Sequence, residues 1–319
     1  MKKLRLGLLG TGLAADRLYL PALKPLKGRI EIVACCNRTR SKAERFAKKA
    51  GVPLVVDKAA QLIALPQVDA VVIALPIEQQ PRYVLQALKA GKAVLSEKPV
   101  GPSVKAGTAL VQAAKKYKAP WLVAENYAFM PHLAQAEAWL SAGKLGDVRL
   151  VEATQMNVLT EANPYFHTAW RTAPKFKGGF VLDAGVHIAH LLRRLMGTPS
   201  EIKGLSALFN PSLPPMDTAL ATMRFSSGAV GVWRSCFSVR YDGPMLKFYG
   251  SKADMEFHRN ELALTQADGK RQVFKSPKNS YTLQFQHFAD VVQHGAKLKV
   301  TAAETLADLR FMEAIVSAH

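Results

Sequence analysis

The chain has 319 residues, 49% of them hydrophobic and 21% charged, enough for two domains of ordinary size with a buried core in each. The formal net charge of +19 is carried by Lys and Arg scattered over separate expected elements, with no arginine-rich arm, zinc knuckle or helix-turn-helix pattern. Nucleic acid is therefore not an expected partner, and what the charge leaves is a surface potential that attracts anionic ligands. No apolar run reaches the length of a membrane span. Three cysteines, two of them adjacent at Cys35 and Cys36, make no disulfide framework and point to a reducing, cytoplasmic setting.

Residues 4–9 form an apolar run cut short by glycines, which reads as a first strand and not as a leader segment. It ends in Gly10-Thr11-Gly12-Leu13-Ala14-Ala15. G-x-G-x-x-A between a strand and a helix is the context of a dinucleotide loop. Gly10 permits the tight turn, Gly12 lets the backbone approach a pyrophosphate, and Ala15 lets helix and strand pack closely. Thr11, Leu13 and Ala14 complete the expected loop. A plain tight turn is the competing reading.

The second strand, Ile30 to Cys36, continues as Asn37-Arg38-Thr39-Arg40. An acid that would bond a ribose 2′-hydroxyl is missing there, whereas a guanidinium beside hydroxyls matches the oxygens of a 2′-phosphate. Asn37, Arg38 and Thr39 thus favour NADP, with NAD remaining open. Against this, Arg38 and Arg40 also read as surface residues that open the next helix.

Strand-like and helix-like segments then alternate. Leu54–Val56 and Ala70–Leu75 read as strands, the second ended by Pro76, and a helix from Pro81 to Ala90 is closed by Gly91. Residues 93–95, a helix from Val104 to Lys116 and a strand at 121–124 follow. This alternation predicts an α/β fold, with a doubly wound parallel Rossmann sheet in residues 1–122. Leu75, Pro76 and Gln80 fall where the fourth strand opens onto the cofactor. Ser96-Glu97-Lys98-Pro99 sits where the fifth strand ends. Pro99 removes a donor and biases Lys98 away from helical geometry, so the ammonium is presented at the carboxyl edge of the sheet, where such folds bind ligands.

Residues 123–319 read as a second, α+β domain. Helices are expected at 131–142 and 179–196, a long strand at 148–158, then six strand-like segments between 201 and 265 that form a largely antiparallel open sheet. Helices at 281–294 and 302–317 finish the chain. Asp183 and His187 are four apart on the expected helix, with His190 on the same stripe. A carboxylate at that spacing can orient an imidazole and make it a general acid/base. A helix cap with two amphipathic-face histidines is the competing reading. A metal set of Asp183, His187 and His190 is a third, but no coordination motif supports it and no metal is expected.

Taken together, the chain resembles the Gfo/Idh/MocA family of oxidoreductases along essentially its whole length. The resemblance rests on the opening G-x-G-x-x-A, on Ala87-Leu88-Lys89-Ala90-Gly91-Lys92 leading to Glu97-Lys98-Pro99, and on Trp170-Arg171. It rests also on Gly178-Gly179 before Asp183-x-Gly185-x-His187, and on the closing Phe285-x-x-Phe288. It implies an NADP- or NAD-dependent dehydrogenase or reductase of a sugar, cyclitol or related polyol, with Lys98, Asp183 and His187 as the catalytic trio and Glu97 shaping the nicotinamide end. It implies Tyr127, Arg171 and His190 as substrate contacts, and a homo-oligomer formed through the second-domain sheet. Reduction of a non-sugar carbonyl or conjugated system, and a non-catalytic dinucleotide sensor, stay open beside it. The chain departs from the family pattern in three respects: Asn37-Arg38 replaces an acid, Ile77 and Gln80 replace Asn and His, and His190 stands where Asp is common.

Overall fold

Six short apolar runs pair into one parallel sheet in the computed structural model, which describes residues 2–276 and 279–318. They are Leu4–Leu9 (β1), Ile30–Cys36 (β2), Leu54–Val56 (β3), Ala70–Ile73 (β4), Ala93–Ser96 (β5) and Trp121–Val123 (β6), in the order β3-β2-β1-β4-β5-β6. Every residue of β4 and β5 is buried, which is why β4 and the first three residues of β5 read as unbroken apolar runs with no polar alternation. The connections are helical: a π-helical turn Ala15–Tyr19 continuing as α1 (Leu20–Leu23), then α2 (Arg40–Ala50), α3 (Ala59–Ala64), α4 (Gln80–Lys89) and α5 (Val104–Ala114). Their ends follow local chemistry. Gly51 closes α2 in the left-handed region at φ 70, and the Ser103 hydroxyl opens α5 by accepting the Ala106 N–H at 3.2 Å.

The register decides where a site can lie. Leu9 pairs with Cys36 and with Ile73, Ile73 with Ser96, and Ser96 with Val123. The residues that follow these strands therefore share one carboxyl edge: Gly10, Asn37, Ala74 with Leu75, and Glu97 with Lys98.

The eight remaining strands form a second sheet in the order β14-β13-β12-β11-β7-β10-β9-β8. They are Val148–Met156 (β7), Glu201–Ala207 (β8), Thr218–Arg224 (β9), Val230–Cys236 (β10), Leu246–Gly250 (β11), Ala253–Phe257 (β12), Glu261–Gln266 (β13) and Arg271–Lys275 (β14). Only β7 and β10 run parallel; every other pair is antiparallel. The sequence reading missed β14 because it is an exposed edge strand with no alternating apolar face. It also missed α7 (Ala169–Thr172), a single turn too short to show a period. The other helices are α6 (Pro131–Ser141), α8 (Gly179–Met196), α9 (Ser280–His294) and α10 (Ala302–Ile315).

One face of the second sheet is covered. Its strands β7 and β10 carry α8, and α8 in turn meets the later turns of α10 at Asp308 and Met312. Gly185 makes that last approach close, since a Cβ there would stand 2.3 Å from Met312 Cε. Trp233 on β10, 1% exposed, meets Phe311 of α10 edge to face at 6.0 Å.

The chain divides into two compact units, residues 1–126 with 279–306, and residues 127–278 with 307–319. The sequence reading placed everything after residue 122 in the second domain, whereas α9 belongs with the parallel sheet. Phe285 and Phe288 of α9 are fully buried, Thr282 Oγ1 donates to the Ala22 carbonyl at 3.1 Å, and Asp290 pairs with Arg29 at 2.5 Å. No helix among the described residues is long and apolar enough to cross a membrane.

Candidate functional site

In the first unit the loop after β1 turns as its glycines suggest. Gly10 has φ 100, and a Cβ there would lie 2.2 Å from the Ala74 carbonyl oxygen, so only glycine lets β1 and the end of β4 come this close. At Gly12 the opposite holds: the residue is exposed, and a Cβ would meet nothing within 4 Å. That open space beside a bare backbone fits the pyrophosphate of a dinucleotide. Ala15 is 0% exposed, which keeps the following helix close to the sheet. Thr11 is buried, and Leu13 and Ala14 are half-buried.

At the end of β2, Asn37 Nδ2 donates to Thr11 Oγ1 at 3.0 Å and its Oδ1 accepts the Thr39 N–H at 3.0 Å. The two arginines there differ. Arg40 is committed to Glu44 at 2.8 Å and to Asp57 at 2.5 Å. Arg38 is exposed, and among the described residues it has no ion-pair partner. After β4, Leu75 and Pro76 are half-buried, while Gln80 is 2% exposed and its Nε2 donates to the Leu75 carbonyl at 3.2 Å. Gln80, expected at the cofactor, gives one of its two amide N–H groups to tying this loop to α4.

At the end of β5 the Glu97 N–H donates to the Ile73 carbonyl at 2.9 Å and extends the ladder by one residue. Ser96 Oγ accepts the indole N–H of Trp121 at 2.9 Å. The Lys98 N–H then donates to Glu97 Oε2 at 3.2 Å, and the Lys98–Pro99 peptide is cis. Glu97 and Lys98 are both half-buried.

In the second unit, α8 carries the other expected residues. Gly178 is its N-cap at φ 81, so Asp183 lies in the second turn and is not a cap. Asp183 is 3% exposed, and its Oδ2 accepts Nε–H of Arg171 at 2.9 Å. Arg171 lies over the Trp170 ring at 3.8 Å and the Tyr165 ring at 4.8 Å, with Thr168 Oγ1 accepting Nη1–H at 3.3 Å. Arg171, expected at the substrate, is paired with Asp183 through Nε. His187 is half-buried, and Tyr127 stacks on its imidazole with centroids 4.6 Å apart and planes 19° from parallel.

His190 does not join His187. It is 0% exposed, and its Nδ1 lies 2.9 Å from Oδ2 of Asp308 on α10, whose Oδ1 also binds Arg193 at 2.5 Å. His190, expected at the substrate, is a buried helix-to-helix tie, and a wholly enclosed imidazole cannot meet a solute without its neighbours moving. Asp308 had no signal in the sequence; its partner is 118 residues away. Among the described residues, no group of three or more His, Cys, Asp or Glu is placed to hold a metal ion.

A parallel sheet with a glycine loop on its first turn, and a second α/β unit bearing an acid and an imidazole on one helix, define a two-domain dinucleotide-dependent oxidoreductase. Residues 4–125 match the model of the oxidoreductase-family NAD-binding Rossmann fold, and residues 138–319 match that of the same family's C-terminal alpha/beta domain. The chain belongs to the Gfo/Idh/MocA oxidoreductase family.

The dehydrogenase FPY6 of Fusarium mangiferae is 34% identical over 235 residues, a stretch covering 68% of this chain and 66% of that protein. The D-xylose 1-dehydrogenase (NADP(+)) 2 of Haloferax volcanii is 26% identical, covering 97% of this chain and 95% of that protein. A solved oxidoreductase from Thermotoga maritima superposes with TM-score 0.93 at 34% identity, over 99% of this chain and 97% of its own.

Proposed function

We propose that this oxidoreductase prefers NADP and moves a hydride between the nicotinamide and a carbinol or carbonyl of a sugar or polyol. The observation that carries the cofactor preference is the contrast at the end of β2, where Arg40 is committed to two carboxylates and the exposed Arg38 is not. The sugar or polyol class is supported by similarity to the xylose dehydrogenase.

In this reading Gly10, Thr11, Gly12, Leu13 and Ala14 line the phosphates, Asn37, Arg38 and Thr39 take the ribose 2′-phosphate, and Leu75 and Pro76 border the middle of the dinucleotide. The nicotinamide, when bound, supplies or accepts the hydride. His187 exchanges a proton with the substrate oxygen, its ring plane held by Tyr127. Lys98 polarises that oxygen by its positive charge. Asp183, fixed by Arg171, orients the acid/base machinery of α8. NADPH oxidation measured against ketoses and inososes, with NADP reduction measured against D-xylose and other aldoses, tests the reading. Tight NADPH binding without turnover of any of them supports a dinucleotide sensor instead. The three free cysteines fit a reducing, cytoplasmic compartment.

The same reading includes a homo-oligomer built on the uncovered face of the second sheet. Leu205 on β8 pairs with Leu220 on β9, and Leu220 with Arg234 on β10, so the three share a face. Leu205 is 63% exposed and Leu220 39%. Exposed aliphatic rows of this kind are typical of interfaces. Light scattering of wild type against L205D/L220D tests it, a lower mass being expected for the variant.

A further inference from the structure

We propose that Tyr19 is a positioning residue for the strand-end turn that carries Lys98, acting through Glu97. The inference rests on the dinucleotide-dependent reading above. Tyr19 lies in the helical segment directly after the glycine loop, and it is 1% exposed. Its hydroxyl donates to Glu97 Oε1, and the other oxygen of that carboxylate accepts the Lys98 N–H at 3.2 Å. Both oxygens of Glu97 are thereby held, one from the helix of the first β-α connection and one from the turn itself.

Two features show that this reach is built into the fold. The helix takes a π turn over Ala15–Tyr19, in which the Leu20 N–H bonds back to the Ala15 carbonyl. Such turns are uncommon and concentrate at functional sites. The phenol ring is also fixed independently of its hydroxyl, edge to face with Phe285 of α9 at 5.1 Å and tilted against Tyr281 at 6.4 Å. The ring therefore serves packing, while the buried hydroxyl serves an acid at the edge of the ligand crevice.

The sheet order says which part of a dinucleotide this acid would affect. β1, β2 and β3 form one mononucleotide half and β4, β5 and β6 the other, with the switch between β1 and β4. Glu97 and Lys98 directly follow β5 and belong to the half opposite Arg38, the nicotinamide half. Tyr19 comes from the first half, so the Tyr19–Glu97 bond ties the phosphate loop to the strand end that presents Lys98.

Tyr19→Phe keeps the ring packing and removes only the hydroxyl, and Glu97→Gln is the independent second variant. Fluorescence titration with NADPH, and calorimetry with adenosine 2′,5′-bisphosphate, read the two halves separately. Both variants are expected to bind NADPH about tenfold more weakly, as for loss of a hydrogen bond to a charged group. Adenosine 2′,5′-bisphosphate should bind them unchanged, and the double variant should be no worse than either alone. Equal NADPH affinity in wild type and Tyr19→Phe, equal losses for both ligands, or additive effects in the double variant overturn the inference. A wild-type protein that binds no NADPH or NADH overturns the reading beneath it as well.

Discussion

Arg171 donates its Nε–H to Asp183 at 2.9 Å while its guanidinium carbon lies 3.8 Å from the centre of the Trp170 ring. The pair joins α7 to α8, with side chains only 14% and 4% exposed. Removing one partner of such a pair leaves the other charge in a poorly solvated place. Arg171→Met should lower stability by about 3 kcal/mol in denaturant melts. Arg171→Lys keeps the charge but loses the guanidinium over the tryptophan ring, and should lower kcat while lowering the melting temperature less than Arg171→Met does. Wild-type stability in Arg171→Met would show that the pair contributes nothing.

The glycine loop gives a sharper contrast. In Gly10→Ala the new methyl meets the Ala74 carbonyl at a positive φ, so both folding and dinucleotide binding should suffer, with a stability loss of about 2 kcal/mol. In Gly12→Ala the methyl enters open space, so melting should stay near wild type while NADPH and NADH affinity drops at least tenfold. Unchanged affinity in Gly12→Ala would place the phosphates elsewhere.

Cofactor preference should separate the two arginines. Arg38→Ala is expected to weaken NADPH about tenfold and leave NADH unchanged, the loss of a charged hydrogen-bond donor to phosphate. Arg40→Ala, whose guanidinium is bound to Glu44 and Asp57, should change neither by more than about twofold. Equal effects of Arg38→Ala on both cofactors would remove the basis for preferring NADP.

His132 makes stability depend on pH. It is 1% exposed, its Nε2–H donates to the His258 carbonyl at 3.0 Å, and Nδ1 has no hydrogen-bond partner among the described residues. Burial pushes its pKa down from 6.5 to about 4, with the His258 carbonyl opposing. Between those values the unfolded chain binds a proton that the folded chain does not. Stability is therefore full above about pH 6.5 and falls as pH drops toward 4, by about 3 kcal/mol for this group. Between pH 7 and 4, urea melts of wild type should lose about 3 kcal/mol more stability than those of His132→Gln. Parallel profiles would mean that His132 charges freely in the fold.

The sequence alone determined the parallel sheet, its glycine loop and the Lys98 strand end, because each is written in contiguous residues: a buried strand is an apolar run, and a tight turn needs glycine. It also set the helix that spaces Asp183 from His187 by four residues. Only the tertiary structure decided what those side chains touch. Arg171 is paired with Asp183, and His190 with Asp308, and neither pairing was legible in the sequence, because ion pairing in a buried place follows proximity in space and leaves no local period. Tyr19 is the same case: 78 residues separate it from Glu97, and only pairing of the strands between them brings the two together. The assignment of α9 to the parallel sheet likewise came from Phe285 and Phe288 finding their cavity there, a choice that an amphipathic pattern cannot express.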